Sequence, residues 1–326
     1  MVVEIDKSSR FYVAGHRGLV GSAVWRAAEA AGFENLIGRS SSELDLCDRE
    51  ATMAFFEAER PEVVVMAAAR VGGIMANSTY PAEFISENLR VQVNVLDAAQ
   101  QTGVQRLLFL GSSCIYPKHA EQPIREDSLM TGPLEPTNDA YAIAKIAGIL
   151  QVQAIRREYG LDYISAMPTN LYGPNDNFDL ASSHVLPALM RRAHEAKATG
   201  AESMTIWGTG QPRREFMHVD DLARACLFLL ANYSDPNPIN IGTGTDISIG
   251  ELAQLVADVV GWDGRIEYDH SKPDGTPRKL LDVSRLHALG YESTIDLTAG
   301  VKATYDWYCQ QPDLHPEPAT ESMTAE

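Results

Sequence analysis

Tyr141 and Lys145 stand in "YAIAK", one helical turn apart on a single face. A lysine ammonium at that spacing favours the phenolate, which would make Tyr141 an acid or base usable near neutral pH. Its hydroxyl partner should come from "GSSCIYP", residues 111 to 117, which follows the apolar run "RLLFL". Ser112 and Ser113 both qualify, and strand alternation does not choose between them. Cys114 in the same stretch is either a small packed hydrophobe or a titrating thiol. His184, in "NDNFDLASSHVLP", stands where a polar loop enters a helix. It is either a locally bonded helix-terminal residue or a second titrating group.

Gly15, Gly18 and Gly21 in "VAGHRGLVG" have the spacing of a turn that lets backbone amides approach a pyrophosphate at a helix N-terminus. The cofactor would be a dinucleotide. Where NAD-binding units usually carry an acid after the second strand, this chain reads "LIGRSSSELDL", with Arg39 at that place and Arg17 in the glycine loop. Two cations suit a 2′-phosphate, so NADP is favoured; the competing reading is a pair of solvated surface arginines. Arg191 with Arg192, and Arg213 with Arg214, form two cationic doublets suited to a diphosphate. One member of each is expected to be merely solvated. Trp207 before "GTG" would stack on a base or sugar, or anchor a core.

The elements that must position these groups alternate. "RFYVAG", "ENLIG", "PEVVVMAAA", "RLLFLGS" and "LDYISAMP" read as strands, separated by helices including "PAEFISENLRVQVNVLDAAQQTG" and "NDAYAIAKIAGILQVQAIRREYG". Continuous apolar strands between helices imply a parallel sheet covered on both faces. The fold class is therefore α/β, a Rossmann-like doubly wound sheet with a smaller C-terminal substrate lobe. Residues 1–174 are the expected dinucleotide domain, with returning segments near 215–247. Residues 175–312 form mainly the lobe, and 313–326, rich in proline and acid, a flexible tail.

Of 326 residues 45% are hydrophobic, and the net charge is −17. That charge disfavours nucleic acid or an anionic membrane as partner, and no apolar run approaches a membrane span. "MVVEIDKSSR" has no apolar core, so a secretory leader is not expected. Four cysteines without ligand spacing read as reduced cytoplasmic thiols, with no metal site.

On these segments the chain resembles the extended short-chain dehydrogenase/reductases. The matching stretches are "GHRGLVGSA", "AAARVGGIMANSTYPAEFISEN", "LGSSCIYPKHAEQPI", "LEPTNDAYAIAKIAG", "MPTNLYGPNDNF", "SSHVLPALMRR", "WGTGQPRREFMHVDDLA" and "SKPDGTPRKLLDVSRL". They are most similar to members that invert a GDP-bound 4-keto-6-deoxy sugar at C3 and C5 and then reduce C4 with NADPH. The resemblance implies Tyr141 as proton donor to the C4 oxygen, Lys145 beneath it holding the nicotinamide ribose, and Ser112 bonded to the same oxygen. It implies Cys114 and His184 as the pair that inverts C3 and C5. The cofactor would run along the loop Gly15, His16, Arg17, Gly18, Leu19, Val20 and Gly21, then Arg39, Asp45 and Leu46. "PTNL", residues Pro168, Thr169, Asn170 and Leu171, would lie along the nicotinamide with Lys145 and His184. Arg192, Trp207, Arg214 and Asp274 match substrate-binding positions.

One departure matters. Similar sequences often carry a second cation where this chain has Ser41 in "RSSSEL", so NADP preference rests on Arg17, Arg39 and serine hydroxyls. Neighbouring activities fit less well. The 4,6-dehydratases carry an Asp-Glu pair that "SSCIYPKHAEQ" lacks. Simple 4-epimerases need no Cys/His pair, and non-enzymatic NADP-binding regulators usually lose Tyr141 or Lys145. The helices near 82–101 and 139–159 carry more apolar positions than one face needs. Similar proteins pair them across a two-fold axis, which implies a homodimer.

Overall fold

The computed structural model describes residues 5–180, 182–272 and 274–314. β1 (Arg10–Ala14), buried from Phe11 onward, turns at Gly15, φ +83°, into α1 (Leu19–Ala30). β2 (Asn35–Ile37) and α2 (Arg49–Glu59) follow; Asp48 caps α2 by accepting the Ala51 amide, which satisfies one of the donors a first helical turn leaves open. β3 (Val63–Met66) leads through α3 (Ile74–Thr79) to α4 (Pro81–Thr102). That helix has proline in its first turn, where the missing N–H costs nothing, and Gly103 closes it at φ +77°. The fully buried β4 (Arg106–Leu110), α5 (Asp139–Tyr159) and β5 (Asp162–Pro168) come next.

β6 (Asn170–Tyr172), α6 (Val185–Thr199), β7 (Ser203–Trp207), β8 (Arg213–Arg214) and β9 (Phe216–His218) carry the chain away from this sheet. α7 (Val219–Asn232) and β10 (Ile239–Ile241) return to it. β11 (Ile247–Ser248), α8 (Ile249–Val260), β12 (Arg265–Asp269), β13 (Arg278–Lys279), α9 (Ser284–Ala288) and α10 (Leu297–Cys309) finish the chain.

The sheet is parallel, in the order β10-β5-β4-β3-β1-β2. Successive side chains of each strand point to opposite faces, and each face has its own core. Phe11, Val13, Val65, Leu108 and Ile164 pack with α1 and α7 residues such as Val24 and Leu229. Tyr12, Val64, Leu107, Phe109 and Tyr163 pack with Val95 of α4 and Ile149 of α5. A third core, around Leu186, Met190, Ile206, Leu252, Val256 and Tyr308, belongs to the C-terminal lobe. The strand order reverses beside β1, between its neighbours β2 and β3. Ligands of open α/β sheets bind above such a point, outside the C-terminal strand ends. The glycine loop, "GSSCIY" and "PTNL" leave from those ends of β1, β4 and β5.

Glu215, between β8 and β9, is fully buried. Its carboxylate accepts the amides of Thr243 (2.6 Å), Gly244 (2.7 Å) and Leu281 (3.0 Å), and its carbonyl accepts Thr169 Oγ1 and Asn170 Nδ2. Burial pushes its pKa up, against the pull of those amides. The sequence predicts a flexible tail from residue 313. Pro312–Leu314 instead form a short 3₁₀ turn, with Leu314 packed on the lobe core; residues 315–326 lie outside the described residues.

A Cβ at Gly21 would lie 2.0 Å from the Gly15 carbonyl oxygen and 2.9 Å from His16 Cα. Gly21→Ala is therefore expected to destabilise the protein by about 1–3 kcal/mol through overpacking. The reading is a lower denaturant midpoint at unchanged slope; an unchanged midpoint would show that the loop yields freely.

Candidate active site

Just past β4 the chain makes a 3₁₀ turn over Ser113–Ile115. Ser112 caps it, its Oγ accepting the Cys114 amide at 3.2 Å. The turn buries Ser113 and Ile115 and leaves Cys114 half-buried. Tyr116 fixes it to β10 by donating its hydroxyl to Asn240 Oδ1 at 2.6 Å. Burial narrows the serine ambiguity: Ser112 is half-buried and Ser113 buried, and the Ser112 hydroxyl favours the ionised forms of both Cys114 and Tyr141.

α5 supplies Tyr141 and Lys145. Lys145 is buried; its Nζ donates to the Leu110 carbonyl at 2.9 Å and lies 5.0 Å from the Phe109 ring centroid. Burial lowers its pKa to about 8. Its Nζ stands 6.0 Å from the Tyr141 ring centroid. The phenolate expected from the "YAIAK" spacing is corrected here. Burial raises the Tyr141 pKa, the adjacent Cys114 raises it further, and the Ser112 hydrogen bond only partly opposes them. The desolvation that disfavours the ammonium disfavours the phenolate too, so the environment of Tyr141 favours the neutral phenol.

Lys279, on which the sequence analysis placed no role, reaches Cys114 from β13: Nζ to Sγ is 3.4 Å. Burial alone would raise the thiol, but the Lys279 charge, the Ser112 hydroxyl and the Arg214 charge outweigh it and the pKa falls. His184 caps α6 without a side-chain cap bond and is open to solvent. The protein crowded around it lowers its pKa, and the Lys279 charge lowers it further. Both candidate proton-transfer groups therefore feel one lysine. Its only sequence signal is membership of "TPRKLLD"; its place depends on the parallel pairing of β13 with β8, in register Lys279↔Arg214.

The structure sorts the arginine doublets. Arg191 pairs with Glu195, and Arg213 with Asp246 and Glu251. Arg192 and Arg214 form no ion pair with any described residue; Arg192 donates to the Thr205 carbonyl on β7 and Arg214 to the Arg213 carbonyl. Trp207, at the end of β7, is 47% exposed, with Lys272 5.5 Å from its ring centroid. Asp274 accepts the Thr209 amide at 2.7 Å and the Thr209 hydroxyl at 2.9 Å, and its charge reaches Arg214. The four substrate positions thus run from α6 across β7 to β8, and the row ends on Cys114.

On the dinucleotide side, the Gly15–Gly21 turn has no room for a Cβ at either glycine, since one at Gly15 would sit 2.9 Å from Ala68 backbone atoms. α1 has no side-chain cap and no acid in its first turn, so the first-turn amides, Leu19, Val20 and Gly21, are free to meet phosphate. His16 is half-buried, its Nδ1 without a partner, and its ring lies 5.4 Å from Trp25. Arg17 is exposed and makes no ion pair with a described residue. Arg39 is paired with Glu59 and lies over Phe55. Beyond it, Asp45 accepts the Cys47 amide and the Leu46 carbonyl accepts Asn94 from α4. Pro168 ends β5, and Thr169 with Asn170 is tied to Glu215, so the segment to Leu171 is held at the cleft. A cradle that excludes side chains, free amides and an unpaired cation fit a phosphorylated dinucleotide. No group of three His, Cys, Asp or Glu among the described residues could hold a metal ion.

The model of the NAD dependent epimerase/dehydratase family matches residues 11–242. GDP-L-fucose synthase 1 of Arabidopsis thaliana is 58% identical over 303 residues, covering 93% of this chain and 94% of that one. The GDP-L-fucose synthase of Escherichia coli strain K12 is 53% identical, covering 93% and 98%. A solved GDP-L-fucose synthetase from Naegleria fowleri bound to NADP superposes with a TM-score of 0.89 at 30% identity, covering 96% of each chain.

Glu59 already offsets the Arg39 charge, whereas Arg17 is unpaired. Arg17→Ala is therefore expected to weaken NADPH binding more than NADH binding, by roughly tenfold or more, with Arg39→Ala showing the smaller difference. Fluorescence titration of each variant with both nucleotides measures this. Equal losses for the two cofactors would remove that arginine from the 2′-phosphate.

Proposed function

The chain belongs to the NAD dependent epimerase/dehydratase family, and from its cleft we propose that it converts GDP-4-keto-6-deoxy-D-mannose to GDP-L-fucose, inverting C3 and C5 and then reducing C4 with NADPH. It is an enzyme with two chemistries. The observation that carries the reading is a shared turn: the Cys114 amide donates to Ser112 Oγ at 3.2 Å, and Lys145, one helical turn from Tyr141, donates to the Leu110 carbonyl just ahead of that turn.

A 4-keto group makes the C3 and C5 hydrogens acidic enough for a positioned base. Cys114 as thiolate takes the proton: the C–H bond breaks, an S–H bond forms, and the electron pair moves to the C4 oxygen. Ser112 and Tyr141 hold that oxygen by hydrogen bonds. His184, open to solvent, draws a proton from water and delivers it to the opposite face of the carbon, which inverts the centre. Bound NADPH supplies the hydride that C4 receives. Tyr141 then gives its proton to the C4 oxygen, and its buried phenol is in the protonated state this step requires. Lys145 lies beneath it to hold the nicotinamide ribose. Arg192 and Arg214, free of carboxylates, serve the GDP diphosphate.

The same reading assigns residues 1–174, with the returning segments near 215–247, to the cofactor domain and 175–312 mainly to the substrate lobe. It places the enzyme in the cytoplasm, in keeping with four free thiols. No helix among the described residues is long and apolar enough to cross a membrane. It also makes the enzyme a homodimer through α4 and α5. Ile143 and Leu150, one face of α5 and seven residues apart, are 47% and 43% exposed, which an isologous helix pairing would cover.

The pure protein with NADPH and the keto-sugar is expected to yield GDP-L-fucose by NMR. Tyr141→Phe should reduce turnover by about 10²–10⁴-fold with NADPH still bound. Cys114→Ser should slow deuterium incorporation at C3 and C5, measured with NADP⁺. Exchange unchanged in that variant would return the thiol to a packing role.

Light scattering at micromolar concentration is expected to give the mass of a dimer, and Ile143→Glu with Leu150→Glu to give a monomer. A monomeric wild type would rule out the helix pairing.

A further inference from the structure

Lys279 has no part in the scheme above, yet its Nζ lies 3.4 Å from Cys114 Sγ. β13 is two residues long and pairs in parallel with β8, in register Arg278↔Arg213 and Lys279↔Arg214. Asp246 binds both Arg213 and Arg278. The other two cations, Lys279 and Arg214, form no ion pair with a described residue, and both act on the thiol. Backbone bonds fix the lysine's position. The Glu215 amide donates to the Lys279 carbonyl at 3.3 Å, and the Glu215 carboxylate holds the Leu281 amide two residues on. A long, flexible side chain thus starts from an anchored strand and ends 3.4 Å from sulfur.

We propose that Lys279 is a positioning residue for the epimerisation: its ammonium donates a hydrogen bond to Cys114 Sγ, sets its positive charge beside the sulfur and aims that sulfur at the carbon to be deprotonated. This rests on the reading of Cys114 as the base. The groups facing the thiol from every packed element are Lys279 on β13, Arg214 on β8, Tyr141 on α5 and the Ser112 hydroxyl. Behind it, a small cavity is walled by Lys118 and Glu135, paired at 3.0 Å, and by Arg278, held by Asp246. The charges behind the thiol are balanced by partners; Lys279 and Arg214 are not. The Lys279 charge also disfavours the imidazolium of His184. One lysine therefore favours the charged form of Cys114 and disfavours the charged form of His184.

The test needs no sugar. Wild type, Lys279→Met and Lys279→Arg are treated with iodoacetamide across pH 5–10 and the modified peptides quantified by mass spectrometry. The exposed Cys309 serves as internal reference. Removing a neighbouring cation shifts a pKa by about one unit or more, so Cys114 in Lys279→Met is expected to react about tenfold more slowly at pH 7, with its midpoint moved up. Lys279→Arg should fall between, and Cys309 should be unchanged. A Cys114 midpoint that is the same in wild type and Lys279→Met would overturn the proposal. In a second arm, deuterium incorporation into the keto-sugar should fall in Lys279→Met in step with thiol reactivity, and recover in part in Lys279→Arg. A shifted midpoint with undiminished exchange would overturn the positioning role. A wild type that exchanges no deuterium would sink the reading of Cys114 as base while leaving its coupling to Lys279 standing.

Discussion

A buried carboxylate with no cation beside it is costly unless several N–H groups point at it. Glu215 is such a group, and its partners belong to segments far apart in sequence. Thr243 and Gly244 follow the last strand of the sheet, Leu281 follows β13, and Thr169 with Asn170 joins β5 to β6. One residue therefore closes the seam between sheet and lobe at the place where cofactor and sugar must meet. Residue types at those five positions matter less than their main-chain N–H and side-chain donors, which all converge on Glu215. That convergence adds to the Asp246 pairs with Arg213 and Arg278 in holding β13 against β8, and with it the cations on those two strands.

Around this seam the protein distributes charge with economy. It is strongly acidic as a whole, yet its cleft holds arginine and lysine side chains without carboxylate partners. The acids nearby are occupied elsewhere: Asp246 with Arg213 and Arg278, Glu195 with Arg191, Asp274 with the Thr209 turn. Burial works in the same direction at the reducing centre. It raises the Tyr141 pKa and lowers that of Lys145 to about 8, favouring the uncharged form of each. A site that must first attract an anionic nucleotide sugar and then give a proton to its keto oxygen needs both properties.

What could be read from the chain and what could not divides along physical lines. The glycine turn, the alternation of strand and helix, the Tyr141–Lys145 spacing and the return of the 219–232 helix and the "NIG" strand to the sheet are local patterns, and all were legible. The choice of Ser112 over Ser113 was not, because it depends on a 3₁₀ turn that buries Ser113 and leaves Ser112 half-buried as its cap. The doublets were legible as doublets; only the tertiary positions of Asp246 and Glu195 show which member is spent on a structural pair. Lys279 was invisible for the same reason, since nothing in "TPRKLLD" reveals that a two-residue strand will lie beside β8. Helix spacing measures the distance from Tyr141 to a charge and says nothing of the desolvation that raises its pKa.

The groups for the two chemistries also have different origins in the fold. Tyr141, Lys145 and Ser112 come from α5 and the end of β4, whereas His184 and Lys279 come from segments that the lobe holds in place. Cys114, the proposed base, lies on the sheet side, on a turn that Ser112 caps. On the proposed reading the reducing groups belong to the sheet side, and the inverting pair spans sheet and lobe. Changes at Cys114 or His184 would then leave the reducing groups in place. Diversification of nucleotide-sugar products on this scaffold therefore needs no new fold and no new cofactor, only the rewriting of a few side chains across the seam.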